Sequence, residues 1–362
     1  MKHVYFFTGF PGFIASRLIK EMIAADPAFD SAYLLALPSF QAKGEQEAER
    51  LMREMDLPAG SLQVITGDIT KPGLSIDRKI ASEAITHVFH LAAIYDLAVP
   101  KDLAYSVNVT GTKNVNEWVK HLPSIKRYIY FSTAYVAGTR EGRLLETELV
   151  RPPAFKNFYE ETKYEAEVLV EQLKSEVPVT IIRPGIVKGH SKTGETVKFD
   201  GPYFILNTIH AVRFMPVIPY IGRSKTKINL VPVDFIIKAV SYLALSDKGE
   251  GKTYHLTDPN PYTSTEVYEM LVEEMLKKKP KGTLPISLCN RALAFKPVRK
   301  FLHTEQETTD YFTWKGDFDC SVATADLAEA GIRCPDFKDG VPAMVDFYLK
   351  NRENKQYQVE IR

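Results

Sequence analysis

Val4-Tyr5-Phe6-Phe7-Thr8-Gly9-Phe10-Pro11-Gly12-Phe13-Ile14-Ala15 decides the fold. Val4–Thr8 reads as a short buried strand, and Gly12–Ala25 as an amphipathic helix. Between them lies a turn with two glycines. Gly9 permits the tight turn. Gly12 lets the backbone approach a pyrophosphate, whose charge is favoured by the free N–H groups of Phe13 and Ile14 at the helix start. The third small position is Ala15, where a methyl is tolerable. A plain strand–turn–helix with two turn glycines is the competing reading.

Outward from this turn, short apolar runs alternate with longer amphipathic ones. Ala32–Leu37, Leu62–Thr66, His87–Leu91, Tyr128–Ser132 and Val179–Arg183 read as further strands. Ala42–Met55, Asp102–His121 and Phe158–Ser175 read as helices. This alternation predicts an α/β fold, a doubly wound parallel sheet of Rossmann type. Such sheets bind ligands at the carboxyl ends of their strands. After Gly189 the pattern becomes irregular, then strands at Ile228–Val231 and Tyr254–Leu256 flank a helix at Val233–Leu245. A last long helix is expected at Ser264–Lys279. We expect a dinucleotide-binding domain at 1–189 plus about 227–256, and a smaller, C-terminal substrate-binding cap from 190–226 and 257–362.

The 362 residues carry 46 Lys and Arg against 45 Asp and Glu, a net charge of +1. That balance argues against a dedicated nucleic-acid binder. Hydrophobic residues are 45% and charged ones 25%, an ordinary globular composition. Cys289, Cys320 and Cys334 form no CxxC pair, and no metal site is expected. There is no signal-peptide core. No run reaches the roughly 18 apolar residues that span a bilayer; Phe204–Ile221 is broken by Asn207, His210, Arg213 and two prolines. A cytoplasmic protein is expected, and a homodimer is possible.

Tyr159-Glu160-Glu161-Thr162-Lys163 opens a predicted helix. Four-residue spacing puts Tyr159 and Lys163 on one face. An ammonium beside a phenol should lower its pKa and suit it to proton transfer during hydride transfer. Such a pair is common by chance, but Ser132-Thr133 at a strand end supplies a hydroxyl for a carbonyl oxygen. Asn108 reads equally as support for Lys163 through a water or as a structural residue. His90 reads as a packed histidine.

Together these motifs make the chain resemble the extended short-chain dehydrogenase/reductases over at least residues 1–256. They are Thr8-x-x-x-Gly12 with Ala15, Gly67-Asp68-Ile69, His90-Leu91-Ala92-Ala93, Asn108-Val109-x-Gly111-Thr112, Ser132-Thr133, Tyr159-x-x-x-Lys163 and Arg183-Pro184-Gly185-x-Val187-x-Gly189. The resemblance implies that Asp68 and Ile69 contact adenine. It implies that Leu91, Ala92 and Ala93 follow the phosphates and ribose, and that Pro184 and Val187 border the nicotinamide. It gives Lys163 the nicotinamide ribose. Phe131-Ser-Thr-Ala-Tyr-Val136, Val231-Pro-Val-Asp234 and His255-Leu-Thr-Asp-Pro259 are similar to the branch of fatty acyl-CoA reductases and thioester-reductase domains. That alignment implies Thr133, not Ser132, as the catalytic hydroxyl. No carrier or adenylation domain is expected beside it.

An acid at the end of the second strand would select NAD. Here Leu37-Pro38-Ser39 stands instead, with Ser39, Gln41 and Lys43 available to a 2′-phosphate. NADP(H) is favoured and NAD(H) is possible. The expected activity is reduction of an aldehyde, ketone or acyl thioester by hydride transfer at Thr133, Tyr159 and Lys163. Alternatives are an NAD-dependent sugar-nucleotide epimerase and a cofactor-sensing regulator. A dehydratase is disfavoured, because Ala134-Tyr135 stands where that chemistry needs Asp-Glu. Phe204, Ile205, Leu206, Phe214, Met215, Val217 and Ile218 read as cap core or as an apolar lid. Arg223, Lys225 and Lys227 read as a solvated loop or as partners for thioester phosphates.

Overall fold

Tyr5 and Phe7 belong to one hydrophobic core and Val4 and Phe6 to another, all of them buried. A strand apolar on both faces belongs inside a parallel sheet covered by helices, and the computed structural model shows that arrangement. It describes residues 2–95, 99–305, 311, 313–359 and 361. Strands β1 (His3–Thr8), β2 (Phe29–Ala36), β3 (Leu62–Thr66), β4 (Ile85–His90), β5 (Arg127–Phe131), β7 (Val179–Pro184) and β11 (Thr253–Leu256) form one sheet. Its order is β11-β7-β5-β4-β1-β2-β3, and every pairing is parallel. The strand order reverses between β1 and β4, so a crevice opens beyond Thr8 and His90, where such sheets take their ligands.

Helices cover both faces. On one side α1 (Phe13–Ala25), α2 (Gln41–Glu54), α7 (Val233–Leu245) and α11 (Ser321–Ala328) supply Leu18, Leu51, Ile236 and Leu327 to the first core. On the other, α4 (Gly111–Lys120) and α5 (Phe158–Leu173) supply Val115, Val119, Ala166 and Val170 to the second. Ahead of α4 the chain runs through a short helix, α3 (Lys101–Ala104), and a π-helical stretch, Tyr105–Thr110.

A third core lies apart from the sheet. It joins α6 (Tyr203–Ala211), α8 (Ser264–Leu276) and α12 (Phe337–Asn351) through Leu206, Ile209, Leu271 and Met344. Two short helices, α9 (Ile286–Leu293) and α10 (Lys296–Leu302), complete this part. Short parallel pairs tie the segments together. They are β8 (Ile186–Lys188) with β10 (Leu230–Pro232), β9 (Tyr220–Ile221) with β12 (Thr283–Leu284), and β6 (Gly142–Leu144) with β13 (Gly316–Phe318).

Three sequence expectations shift. The strand expected at Ile228–Val231 lies at β10 and pairs with β8, outside the main sheet. The helix expected to Lys279 stops at Leu276, where Lys277 adopts the left-handed conformation that ends it. Part of the stretch expected in the cap packs on the sheet side instead: β13 pairs with β6, and Ala323 and Leu327 enter the first core.

Candidate active site

The crevice is built from the β1 turn and the loop after β4, which hold each other. Gly9 has φ +81°, and a Cβ there would lie 2.8 Å from Ala92 N and 2.9 Å from Leu91 C. Only glycine lets these two backbones meet. A Cβ on Gly12 would lie 2.6 Å from Gly9 O, and Gly12 caps α1 without any side-chain partner. The first N–H groups of α1 are therefore left without a capping side chain. Ala15 is buried, its methyl accommodated.

One hydrogen-bond chain fixes the facing loop. Thr8 Oγ1 accepts from Leu91 N (3.2 Å) and Ala92 N (3.1 Å). Its proton then goes to His90 Nδ1 at 2.8 Å. This assigns the other ring nitrogen as donor to Thr112 Oγ1 (3.1 Å), which donates to the Asn108 carbonyl (2.6 Å). Burial first, then the Lys163 charge, push the His90 pKa down to about 3. His90 is thus a neutral, fully bonded structural group.

Asn108 sits in the π-helical stretch, buried. Its Oδ1 accepts from Ile94 N (2.9 Å), and its Nδ2 donates to Ile94 O (3.0 Å) and Thr162 Oγ1 (3.0 Å). It clamps the loop after Ala93 to α5. Gly67-Asp68-Ile69 follows β3. Asp68 accepts from Thr70 N (2.9 Å) and Thr70 Oγ1 (2.8 Å), and Ile69 packs against Gly111, where a Cβ would be 2.7 Å from Ile69 Cδ1. Lys43 is exposed in the first turn of α2, close in sequence to the end of β2.

Helix α5 starts where Asn157 accepts from Glu160 N (2.9 Å), the usual device for an exposed helix start. The first turn carries Tyr159. Its phenol lies beside the Thr133 hydroxyl; burial raises its pKa to about 12, against a smaller lowering by that neighbour. Thr133 caps the turn Ala134–Ala137, its Oγ1 accepting from Tyr135 N (3.3 Å). Ser132 points elsewhere: its hydroxyl donates to the buried Glu167. Glu167 also takes Arg183 Nε (2.8 Å) and Nη2 (2.5 Å), a closed buried pair. Pro184 ends β7, and the partly exposed Val187 lies in β8.

Lys163 is buried one turn beyond Tyr159. Its Nζ donates to Tyr130 Oη (2.9 Å) and Phe131 O (2.6 Å), 4.4 Å from the Tyr130 ring centre. Burial pulls its pKa down to about 7, opposed by the Glu167 charge. The expected lowering of the Tyr159 pKa is not observed. The amine is turned to Tyr130 and the Phe131 carbonyl, and desolvation of the phenol dominates. A second group sits beneath the start of α5. Glu160, buried, receives Lys156 N (3.1 Å) and Tyr311 Oη (3.0 Å). Tyr135, Trp314 and Phe318 pack around them. The sequence reading missed Tyr130 and this group. Tyr130 was hidden as an ordinary strand residue, and residues 311–318 lie too far along the chain to be placed.

The expected lid divides. Phe204, Ile205, Leu206 and Ile218 are buried, whereas Phe214, Met215 and Val217 are exposed. Lys227 pairs with Asp317 at 3.0 Å, and the Arg223 guanidinium lies 4.7 Å from the Tyr220 ring centre.

The family profile described as male sterility protein matches residues 7–240. The chain belongs to this family. Its glycine turn, strands β2 to β7 and its Tyr159–Lys163 helix fall inside the matched region, so the resemblance to extended short-chain dehydrogenase/reductases holds. The chain is 26% identical over 285 residues to glycine betaine reductase ATRR of Emericella nidulans, covering 73% of this chain and 22% of that protein. It is 28% identical over 207 residues to the fatty acyl-CoA reductase wat of Drosophila melanogaster, covering 49% and 40%. The chain thus spans less than half the length of these relatives. The solved terminal R domain of the myxalamid PKS-NRPS pathway superposes with TM-score 0.78 at 22% identity, covering 99% of this chain and 93% of that one. The chain therefore shares the fold of that domain.

Proposed function

We propose that the chain is a nicotinamide-dependent reductase of an aldehyde, ketone or acyl thioester. The observation that carries this reading is the convergence of Thr133, at the end of β5, with the start of α5 that bears Tyr159 and the buried Lys163, whose amine bonds the Phe131 carbonyl, while Ser132 is turned away into the Glu167–Arg183 pair. Relatives named for reduction of glycine betaine and of fatty acyl-CoA support the same chemistry.

The residues fit a dinucleotide. The uncapped start of α1, with Gly9, Gly12, Phe13 and Ile14, would hold the pyrophosphate. Asp68 and Ile69 would meet adenine, Leu91–Ala93 the phosphates and ribose, and Pro184 and Val187 the nicotinamide ring. When bound, a reduced nicotinamide supplies the hydride. Thr133 Oγ1 donates a hydrogen bond to the substrate carbonyl oxygen. Tyr159, still protonated at neutral pH, gives that oxygen its proton as the carbon is reduced. Lys163 leaves its Tyr130 and Phe131 partners to hold the ribose. Asn108 acts as a positioning residue, through Ile94 and Thr162. With a thioester, collapse of the resulting hemithioacetal releases aldehyde and free thiol.

We favour NADP(H) over NAD(H). No acid stands at the end of β2, and Ser39, Gln41 and Lys43 offer a 2′-phosphate its partners. The same missing acid disfavours an epimerase that retains NAD. A regulator without catalysis would have no use for an intact Thr133, Tyr159 and Lys163. We place the protein in the cytoplasm, in keeping with its three free cysteines. Titration with NADPH and NADH, followed by an aldehyde and acyl-thioester panel, tests the reading. Oxidation of the nicotinamide supports it; stable binding with no oxidation by any carbonyl refutes it.

A further inference from the structure

Charge is unevenly placed in this nearly neutral chain. Residues 201–233 and 275–304 together hold twelve Lys and Arg and no Asp or Glu, while the whole chain has 46 against 45. The two segments are knit into one surface. Strand β9 pairs with β12, and Lys281 N donates to Ile218 O (2.9 Å). Asn207 Nδ2 donates to His303 O (2.8 Å), and Thr208 bonds Thr304 (3.0 Å). Acids meet it at its margin, where Glu274 and Glu273 of α8 pair with Lys277 and Lys279, and Asp317 pairs with Lys227.

The same surface carries the most exposed large apolar side chains among the described residues. Phe214 is 81% exposed, Phe301 67% and Phe295 66%, joined by Leu288 at 51%. Phe214 and Phe301 flank a cavity of about 400 Å³ that also reaches Arg213 and His303. Protruding aromatic rings set among cations of one sign suit the boundary between headgroups and acyl chains. Eight of the twelve cations are lysines. Protein–protein interfaces favour arginine and deplete lysine, so the composition points to lipid rather than to an acidic protein. No helix among the described residues is long and apolar enough to cross a membrane.

We propose that this face of the α6, α9 and α10 region docks the protein onto an anionic lipid bilayer, with Phe214, Phe295 and Phe301 entering the interface and Lys225, Lys296 and Lys300 meeting the headgroups. The inference stands independently of the catalytic reading.

Co-sedimentation with vesicles tests it. The intact chain should pellet with phosphatidylcholine–phosphatidylglycerol vesicles and stay in solution with phosphatidylcholine alone. Rising salt should release it. K296E/K300E should lower partitioning roughly thirtyfold or more, and F214S/F301S roughly tenfold. All four side chains lie at the surface, so melting temperature and NADPH titration should not move. Failure to bind anionic vesicles at low salt overturns the proposal. So does equal binding to neutral vesicles, or binding that survives both double variants. Capture of soluble polyglutamate through the same lysines, without vesicle binding, would assign the face to an acidic protein and also overturn it.

Discussion

Two neighbouring hydroxyls, Ser132 and Thr133, have separate fates. Successive residues at a strand end point to opposite sides. Ser132 is bonded to buried Glu167, whereas Thr133 accepts from Tyr135 N and lies beside Tyr159. Thr133→Val should therefore keep its melting temperature and lose at least about a hundredfold in turnover. Ser132→Ala should keep turnover and lose about 1–3 kcal/mol of stability, because it strips a partner from a buried carboxylate. The reverse pattern, read by thermal melts and steady-state rates, would move the catalytic hydroxyl to Ser132. Lys163 gives a pH signature. Its pKa falls from 10.5 to about 7 on folding, chiefly through burial. The unfolded chain then binds the extra proton between those values, so this group makes stability rise with pH across that window. Lys163→Met should remove that slope, leave the protein folded and abolish most turnover. A slope unchanged in denaturant melts across this range would show that the amine is solvated. The residue types of this site were legible because they recur at fixed spacing on one helix. The direction of the amine was not, since it depends on Tyr130 and the Phe131 carbonyl across the sheet.

At the scale of elements, the glycine turn and the strand–helix alternation could be read directly, because both are local patterns. What could not be read are the contacts that close the site from a distance. Glu146 shows this. Its buried carboxyl accepts from His255 N (2.9 Å), Val322 N (2.6 Å) and Ala323 N (3.1 Å), and so caps α11. No periodicity reveals a cap supplied from some 175 residues away, as the Glu146–Val322 separation of 176 shows. Glu146→Ala should cost about 1–3 kcal/mol and loosen α11, whereas Glu146→Gln keeps an acceptor and most of the stability. Hydrogen exchange across 321–328 distinguishes the two variants. Gly9→Ala is the sharper change, since both φ and the Leu91–Ala92 backbone oppose it. It should cost about 1–3 kcal/mol or more and weaken cofactor binding in a titration. A Gly9→Ala protein that binds NADPH normally would mean that the turn lies away from the pyrophosphate.

At the scale of the molecule, a sheet whose strand order reverses between β1 and β4 is accompanied by a third core built from α6, α8 and α12. The parallel sheet was legible because buried strands are apolar on both faces. The return of β13 and α11 to the sheet side was not, because their burial depends on distant partners. Cofactor preference also belongs to this scale. Lys43→Ala should weaken NADPH roughly fivefold and leave NADH unchanged; equal losses for both would remove Lys43 from the 2′-phosphate site. The most direct test of the whole account is single-turnover hydride transfer from NADPH to a long-chain aldehyde, comparing the wild-type chain with Tyr159→Phe at saturating cofactor. The account predicts equal NADPH affinity and transfer at least about a hundredfold slower in the variant. Equal rates of transfer would contradict it.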